Sequence, residues 1–132
     1  MSRERLNRVM HVDDDRDILD ITKLILESIG HYSVCSCESG KEALEKLAAF
    51  SPELILLDVD MPGMNGPAVL NSLCKMPHGL DIPVVFMTGG IDPGALAVLR
   101  ASTAVEIIEK PFDPLGLPGR IAKIWEHHVR SN

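Results

Sequence analysis

Apolar runs and amphipathic stretches alternate along the whole chain. Residues 6–12 (LNRVMHV) form a largely apolar run that ends in Asp13, Asp14 and Asp15. Ile18, Ile21, Ile25 and Ile29 follow at spacings of three and four, the period of one helix face, and Gly30 stops the pattern. Residues 32–37 read as a second strand. Ser39, Gly40, Lys41 and Glu42 have capping-box spacing and open a helix whose apolar face carries Ala43, Leu44, Leu47 and Ala48. Ser51-Pro52 breaks it. The run 54–57 (LILL) is apolar at every position, which suits a strand covered by helices on both faces. It leads through Asp58 into the turn-rich segment 60–66, after which Pro67 suits the first position of a third helix. Residues 82–87 (IPVVFM) form a fourth strand ending at Thr88-Gly89-Gly90, and Asp92-Pro93 opens a short apolar helix over 94–101. Residues 105–108 make a fifth strand before Lys110-Pro111-Phe112. Pro114, Gly116, Pro118 and Gly119 then predict an irregular turn at 113–117 and regular helix from about residue 118. Ile121, Ile124, Trp125 and Val129 share one face of that last helix.

Five strand-then-helix units predict an α/β fold with a five-stranded parallel sheet and five helices, joined by right-handed crossovers. The 132 residues suit a single domain over 1–132, with a core of about 6–130 and no output domain. A chain of this size buries enough surface to need no disulfide or zinc. The formal net charge of −6 argues against a nucleic-acid-binding surface. No apolar run approaches the ~18 residues of a membrane span, so no membrane partner is expected. Cys35, Cys37 and Cys74 are too few and too uneven for a disulfide framework, which favours a reducing cytoplasm. Cys35 and Cys37 share one strand face but have no matching pair elsewhere, so they read as structural. His11 reads as a strand residue, and His127-His128 as a solvated helix end.

The polar residues fall in a telling place. Asp13, Asp14, Asp58, Thr88 and Lys110 each sit just past the carboxyl end of an apolar strand, where open α/β sheets bind ligands. Taken singly, an aspartate there simply caps a helix or favours a turn. Taken together they put acids, a hydroxyl and an ammonium on one rim. Converging carboxylates repel unless a cation intervenes, and oxygen-only ligands suit Mg2+. A carboxylate nucleophile beside such a metal points to phosphoryl transfer through an aspartyl-phosphate, whose spread charge the metal, Lys110 and Thr88 can share.

Val12-Asp-Asp-Asp, Leu54-Ile-Leu-Leu-Asp58 followed by Met61-Pro-Gly-Met-Asn-Gly66, Met87-Thr88-Gly89 and Lys110-Pro111-Phe112 resemble the receiver domain of two-component response regulators. The resemblance covers about residues 6–130 with its four motifs in order. It implies a flavodoxin-like, doubly wound sheet of order 2-1-3-4-5. It implies that Asp58 accepts phosphoryl from a sensor histidine kinase or histidine phosphotransfer protein. Asp14 and Asp58 would bind Mg2+ (or Mn2+) directly, Asp13 mainly through water, and Asp60 through its backbone carbonyl. Lys110 would pair with Asp58 and then with the phosphoryl group, to which Thr88 donates a hydrogen bond, and Lys110-Pro111 would be cis. Asp60 and Gly90 would tune phosphoryl lifetime. Asp15 reads instead as the cap of the first helix.

One position departs from the family. A tyrosine or phenylalanine usually precedes the lysine by three residues and moves with the threonine, whereas this chain has Ile107. The expected switch, Thr88 and Ile107, therefore works mainly through Thr88 and the segment 89–101. That segment, the fifth strand and the last helix flank the face that receivers use for partners, which suggests an unidentified downstream protein or a homodimer. Two other readings stay open. A degenerate receiver would serve only as a docking module. The Asp58-Val-Asp60 spacing also resembles the haloacid-dehalogenase phosphatases, although that family carries this motif on its first strand.

Overall fold

Five short runs of apolar residues become the five strands of one sheet: β1 (Arg8–Val12), β2 (Ser33–Cys37), β3 (Leu54–Asp58), β4 (Val84–Thr88) and β5 (Glu106–Glu109). The computed structural model describes residues 5–77, 81–89, 97 and 106–130. Every neighbouring pair is parallel and the strand order is β2-β1-β3-β4-β5. Every residue of β3 and β4 is buried, which is why these segments carry apolar residues without alternation. After β2 the chain returns across β1 and continues on its other side. The strand order therefore reverses at β1 and β3, whose carboxyl ends are where open α/β sheets bind ligands.

Among the described residues four α-helices cover the sheet: α1 (Arg16–Ser28), α2 (Gly40–Phe50), α3 (Gly66–Cys74) and α4 (Leu117–Arg130). Five were expected. The helix predicted over 94–101 and its Asp92-Pro93 start lie outside the described residues, apart from Ala97. Met10, Val12, Leu57 and Phe86 pack with Leu47 of α2 and with Val69 and Leu73 of α3 on one side of the sheet. Val9, Leu56, Val85 and Ile108 pack with Leu26 of α1 and Ile121 of α4 on the other. Alternate strand residues thus feed two cores.

Local signals set the helix ends. Asp15 caps α1 by accepting from the backbone N–H of Asp17 and Ile18. Ser39 caps α2 by accepting from Glu42, whose carboxylate reaches back to the Glu38 N–H. Asn65 caps α3, which puts Pro67 at its second position rather than its first. Ser51 takes a left-handed conformation (φ 53°) to end α2 before Pro52. A 3-10 turn, Pro114–Gly116, precedes α4, as the proline and glycine spacing predicted.

The buried face of α1 differs from the expected one. Leu19, Thr22, Ile25 and Leu26 are buried, while Ile21 and Ile29 are 43% and 52% exposed. Spacings of three and four fix the helical period but not its phase. Both sets satisfy that period, and docking on the sheet chooses between them. No described helix is long and apolar enough to cross a membrane.

Candidate functional site

The carboxyl ends of β1, β3, β4 and β5 deliver the rim residues to one place. Asp13, one residue past β1, is buried, as is Asp58 at the end of β3, and Asp14 beside Asp13 is exposed. Carboxylate oxygens of Asp13, Asp14 and Asp58 all lie within 4.8 Å of one another. The Lys110 ammonium, just past β5, stands 3.0 Å from Asp13 Oδ2 and 3.1 Å from Asp58 Oδ1. The pairing of Lys110 with Asp58 that the resemblance implied is present, and the fold adds Asp13 as a second partner. The Lys110-Pro111 peptide is cis, as the resemblance implied.

Asp13 is held from two sides. Its Oδ1 accepts the Asp15 N–H at 2.9 Å while its Oδ2 meets Lys110. Thr88, at the end of β4, is buried, and its hydroxyl has no hydrogen-bond partner among the described residues. A buried hydroxyl left unpaired costs roughly 1–3 kcal/mol, and an incoming acceptor oxygen would relieve that cost. Asp60 is exposed in the loop after β3. Ile107 is half-buried in β5, opposite Phe86, and packs on the core beneath α2 and α3. Gly90 lies outside the described residues.

Three carboxylates face one ammonium. Burial pushes the Asp58 carboxyl above the usual range, and the charge of Asp13 adds to this, while Lys110 and a backbone hydrogen bond from Asp60 oppose it. Burial alone would lower Lys110, but hydrogen bonds and charge from Asp13 and Asp58 outweigh it and raise that group. His11, two residues before Asp13, is held down at about 3 by burial and by the charge of Lys110, so it stays neutral and adds no cation. An all-oxygen donor set with excess negative charge fits a hard divalent ion such as Mg2+.

Gly66 gained a positional role only from the fold. Its N–H donates to the Val59 carbonyl, closing the loop that follows Asp58. A Cβ there would stand 2.8 Å from the Asp58 carbonyl oxygen and 2.9 Å from Val59 Cα, both backbone atoms that cannot step aside. The glycine was visible in the motif, but nothing in the sequence named what it touches. Gly66→Ala is expected to lower stability by about 1–3 kcal/mol through this overpacking. Urea denaturation measures it, and an unchanged midpoint would contradict the close approach.

Comparison with known proteins agrees with this geometry. The family model described as "Response regulator receiver domain" matches residues 9–122. The chain is 33% identical over 113 residues to the transcriptional regulatory protein YvrH of Bacillus subtilis, covering 86% of this chain and 46% of that protein. It is 36% identical over 102 residues to the DNA-binding transcriptional regulator NtrC of Escherichia coli, covering 77% of this chain and 21% of that protein. It thus spans less than half the length of either. A CheY-like receiver domain from Methanospirillum hungatei superposes with a TM-score of 0.83 at 29% identity, covering 96% of this chain and 99% of the other.

Proposed function

Because this chain belongs to the response regulator receiver domain family, we propose that it takes a phosphoryl group onto Asp58 from a phosphohistidine donor and so switches a protein–protein contact. Receiver domains are signalling switches rather than enzymes, and they work with histidine kinases or histidine phosphotransfer proteins. The observation that carries the assignment to Asp58 is the placement of Lys110 between Asp13 and Asp58, 3.0 and 3.1 Å from them, with the buried Thr88 hydroxyl at the end of the neighbouring strand.

In the proposed transfer an Asp58 oxygen attacks phosphorus, the phosphorus–nitrogen bond of the donor breaks, and the imidazole leaves with a proton. Lys110 and Thr88 offer an ammonium and a hydroxyl to the phosphoryl oxygens. Asp14, Asp58 and the Asp60 carbonyl would hold Mg2+ (or Mn2+), with Asp13 acting mainly through water. When bound, that ion neutralises charge on the phosphoryl oxygens. The side chain of Asp60 is exposed and two residues from the acceptor, which suits a role in setting phosphoryl lifetime. Gly90 joins it in that role by resemblance alone. Phosphorylation brings about −1.5 to −2 charge to the rim. Ile107 has no hydroxyl to exchange between solvent and core, so the response runs through Thr88 and the segment 89–101. The readout is an unidentified downstream protein or a second copy of the chain on the adjoining face. We place this single receiver domain in the cytoplasm.

Incubating the protein with Mg2+ and acetyl phosphate, or with a phosphorylated kinase domain, tests the reading. The expected product is one slowly lost, base-labile adduct, mapped to Asp58. No adduct would indicate a docking module. Rapid multiple turnover of phosphate esters would indicate a phosphatase.

A further inference from the structure

Outside the acidic rim, one pair of reactive side chains is placed for chemistry of its own. Cys35 and Cys37 are alternate residues of β2, so both thiols face the same side of the sheet. Their sulfur atoms are 4.0 Å apart. Cys37 is fully buried in the core beneath α2 and α3, whereas Cys35 at its margin is only partly covered. We propose that this pair is an oxidation site: a hydroperoxide joins Cys35 to Cys37 in a disulfide that loosens Asp13 and slows phosphoryl acceptance at Asp58. The second half of this proposal rests on the acceptor role given to Asp58 above.

The chemistry runs in two steps. The Cys35 sulfur, the more accessible, breaks the oxygen–oxygen bond of hydrogen peroxide and takes one hydroxyl, giving a sulfenic acid and one water. The Cys37 sulfur then attacks the Cys35 sulfur. The sulfur–oxygen bond breaks and the hydroxyl leaves with the Cys37 proton as a second water. Two thiols lose two electrons and one peroxide gains them. Cys35 is the more exposed of the two and meets the peroxide first, while the buried Cys37 waits as the resolving thiol.

The strand geometry explains why such a bond would be felt at the rim. A rise of about 3.3 Å per residue sets alternate Cα atoms about 6.6 Å apart, near the upper limit for a disulfide. Closing the bond must also bring the sulfur atoms from 4.0 Å to about 2.05 Å, which pulls on β2 around Ser36. As the sheet edge, β2 has only β1 beside it and can give there. The Asp13 N–H donates to the Cys37 carbonyl at 3.0 Å, so a shift of Cys37 pulls directly on Asp13. Asp13 in turn shares Lys110 with Asp58. A disulfide closed at this limit is strained and hence easily reduced, which makes the change reversible.

The test uses the full chain, first fully reduced and then treated with hydrogen peroxide. The expected result is a loss of two hydrogens in intact mass, with Cys35 and Cys37 linked on peptide mapping. Labelling of Asp58 by acetyl phosphate should slow about fivefold, the effect of one weakened backbone hydrogen bond, and recover with dithiothreitol. Hydrogen exchange at the Asp13 amide should quicken by a similar factor, a readout that does not need Asp58 to be an acceptor. Cys35→Ser should remove the response while labelling at the rate of the reduced protein, and Cys74→Ser should keep it. Sulfinic acid or intermolecular dimers in place of the bridge would overturn the proposal, as would a bridge that leaves Asp13 exchange unchanged. A bridge with faster exchange but no labelling of the reduced protein would sink the acceptor reading alone.

Discussion

Asp58→Asn is expected to abolish phosphoryl labelling and, without divalent cations, to make the protein more stable at neutral pH. The amide of asparagine is not a nucleophile, so no acyl phosphate forms. The stability effect follows from the raised Asp58 carboxyl, which burial and Asp13 push up more than Lys110 pulls it down. A carboxyl raised in the folded state binds a proton more readily there than in the unfolded chain. Its contribution to stability is full below the ordinary carboxylate range and is lost as pH rises through the raised value. At pH 7 the charge on Asp58 therefore opposes folding, and asparagine removes it. The expected gain is about 0.5–2 kcal/mol at pH 7 in chelator, shrinking as pH falls and wild-type Asp58 becomes protonated. Added Mg2+ should reverse the order, because the wild type holds more of it and is stabilised by mass action. Urea denaturation across pH, with and without Mg2+, checks all three. A variant less stable than wild type at pH 7 in chelator would contradict the electrostatic account.

Lys110→Met is expected to do the opposite. It keeps most of the aliphatic stem but removes the ammonium that stands 3.0 Å from Asp13 and 3.1 Å from Asp58. The Asp13 and Asp58 side chains are only 1% and 5% exposed, so water cannot replace that cation easily. Neutral His11 offers no substitute. Breaking a buried pair from one side costs about 3–5 kcal/mol, a large share of the ~5–15 kcal/mol of a typical domain. Mg2+ should restore much of the loss, since it supplies charge to the same carboxylates. Acid should do so too, since a protonated Asp58 no longer needs a counter-ion. A loss below about 1 kcal/mol in chelator at pH 7 would mean that the rim is far better solvated than its burial indicates.

The rim was legible in advance because strand ends and chemistry coincide along the chain. Asp58 follows four apolar residues, Thr88 closes IPVVFM, and each of these strands is buried along its length, so the polar residue could only lie at its mouth. The Asp15 cap and the turn before α4 were equally readable, since caps and proline exclusions act within a few residues. The phase of α1 was not. Ile21 and Ile29 satisfy the helical period as well as Leu19 and Leu26 do, and only docking on the sheet separates them. Gly66 was visible as a letter in a motif, but its contact with the Asp58 carbonyl spans a folded loop.

The order of apolar and polar residues was enough to fix five parallel strands, the carboxyl-end rim and the residues on it. Period, capping and strand burial are local consequences of side-chain shape and hydration. Tertiary structure alone decided that Lys110 serves Asp13 as well as Asp58, that the Thr88 hydroxyl is buried with no partner among the described residues, and that the Cys37 carbonyl holds the Asp13 amide. Those relations join residues from different strands. They depend on how far each strand slides against its neighbour and how deeply each side chain is buried, quantities that hydrophobic pattern constrains only after the sheet has closed.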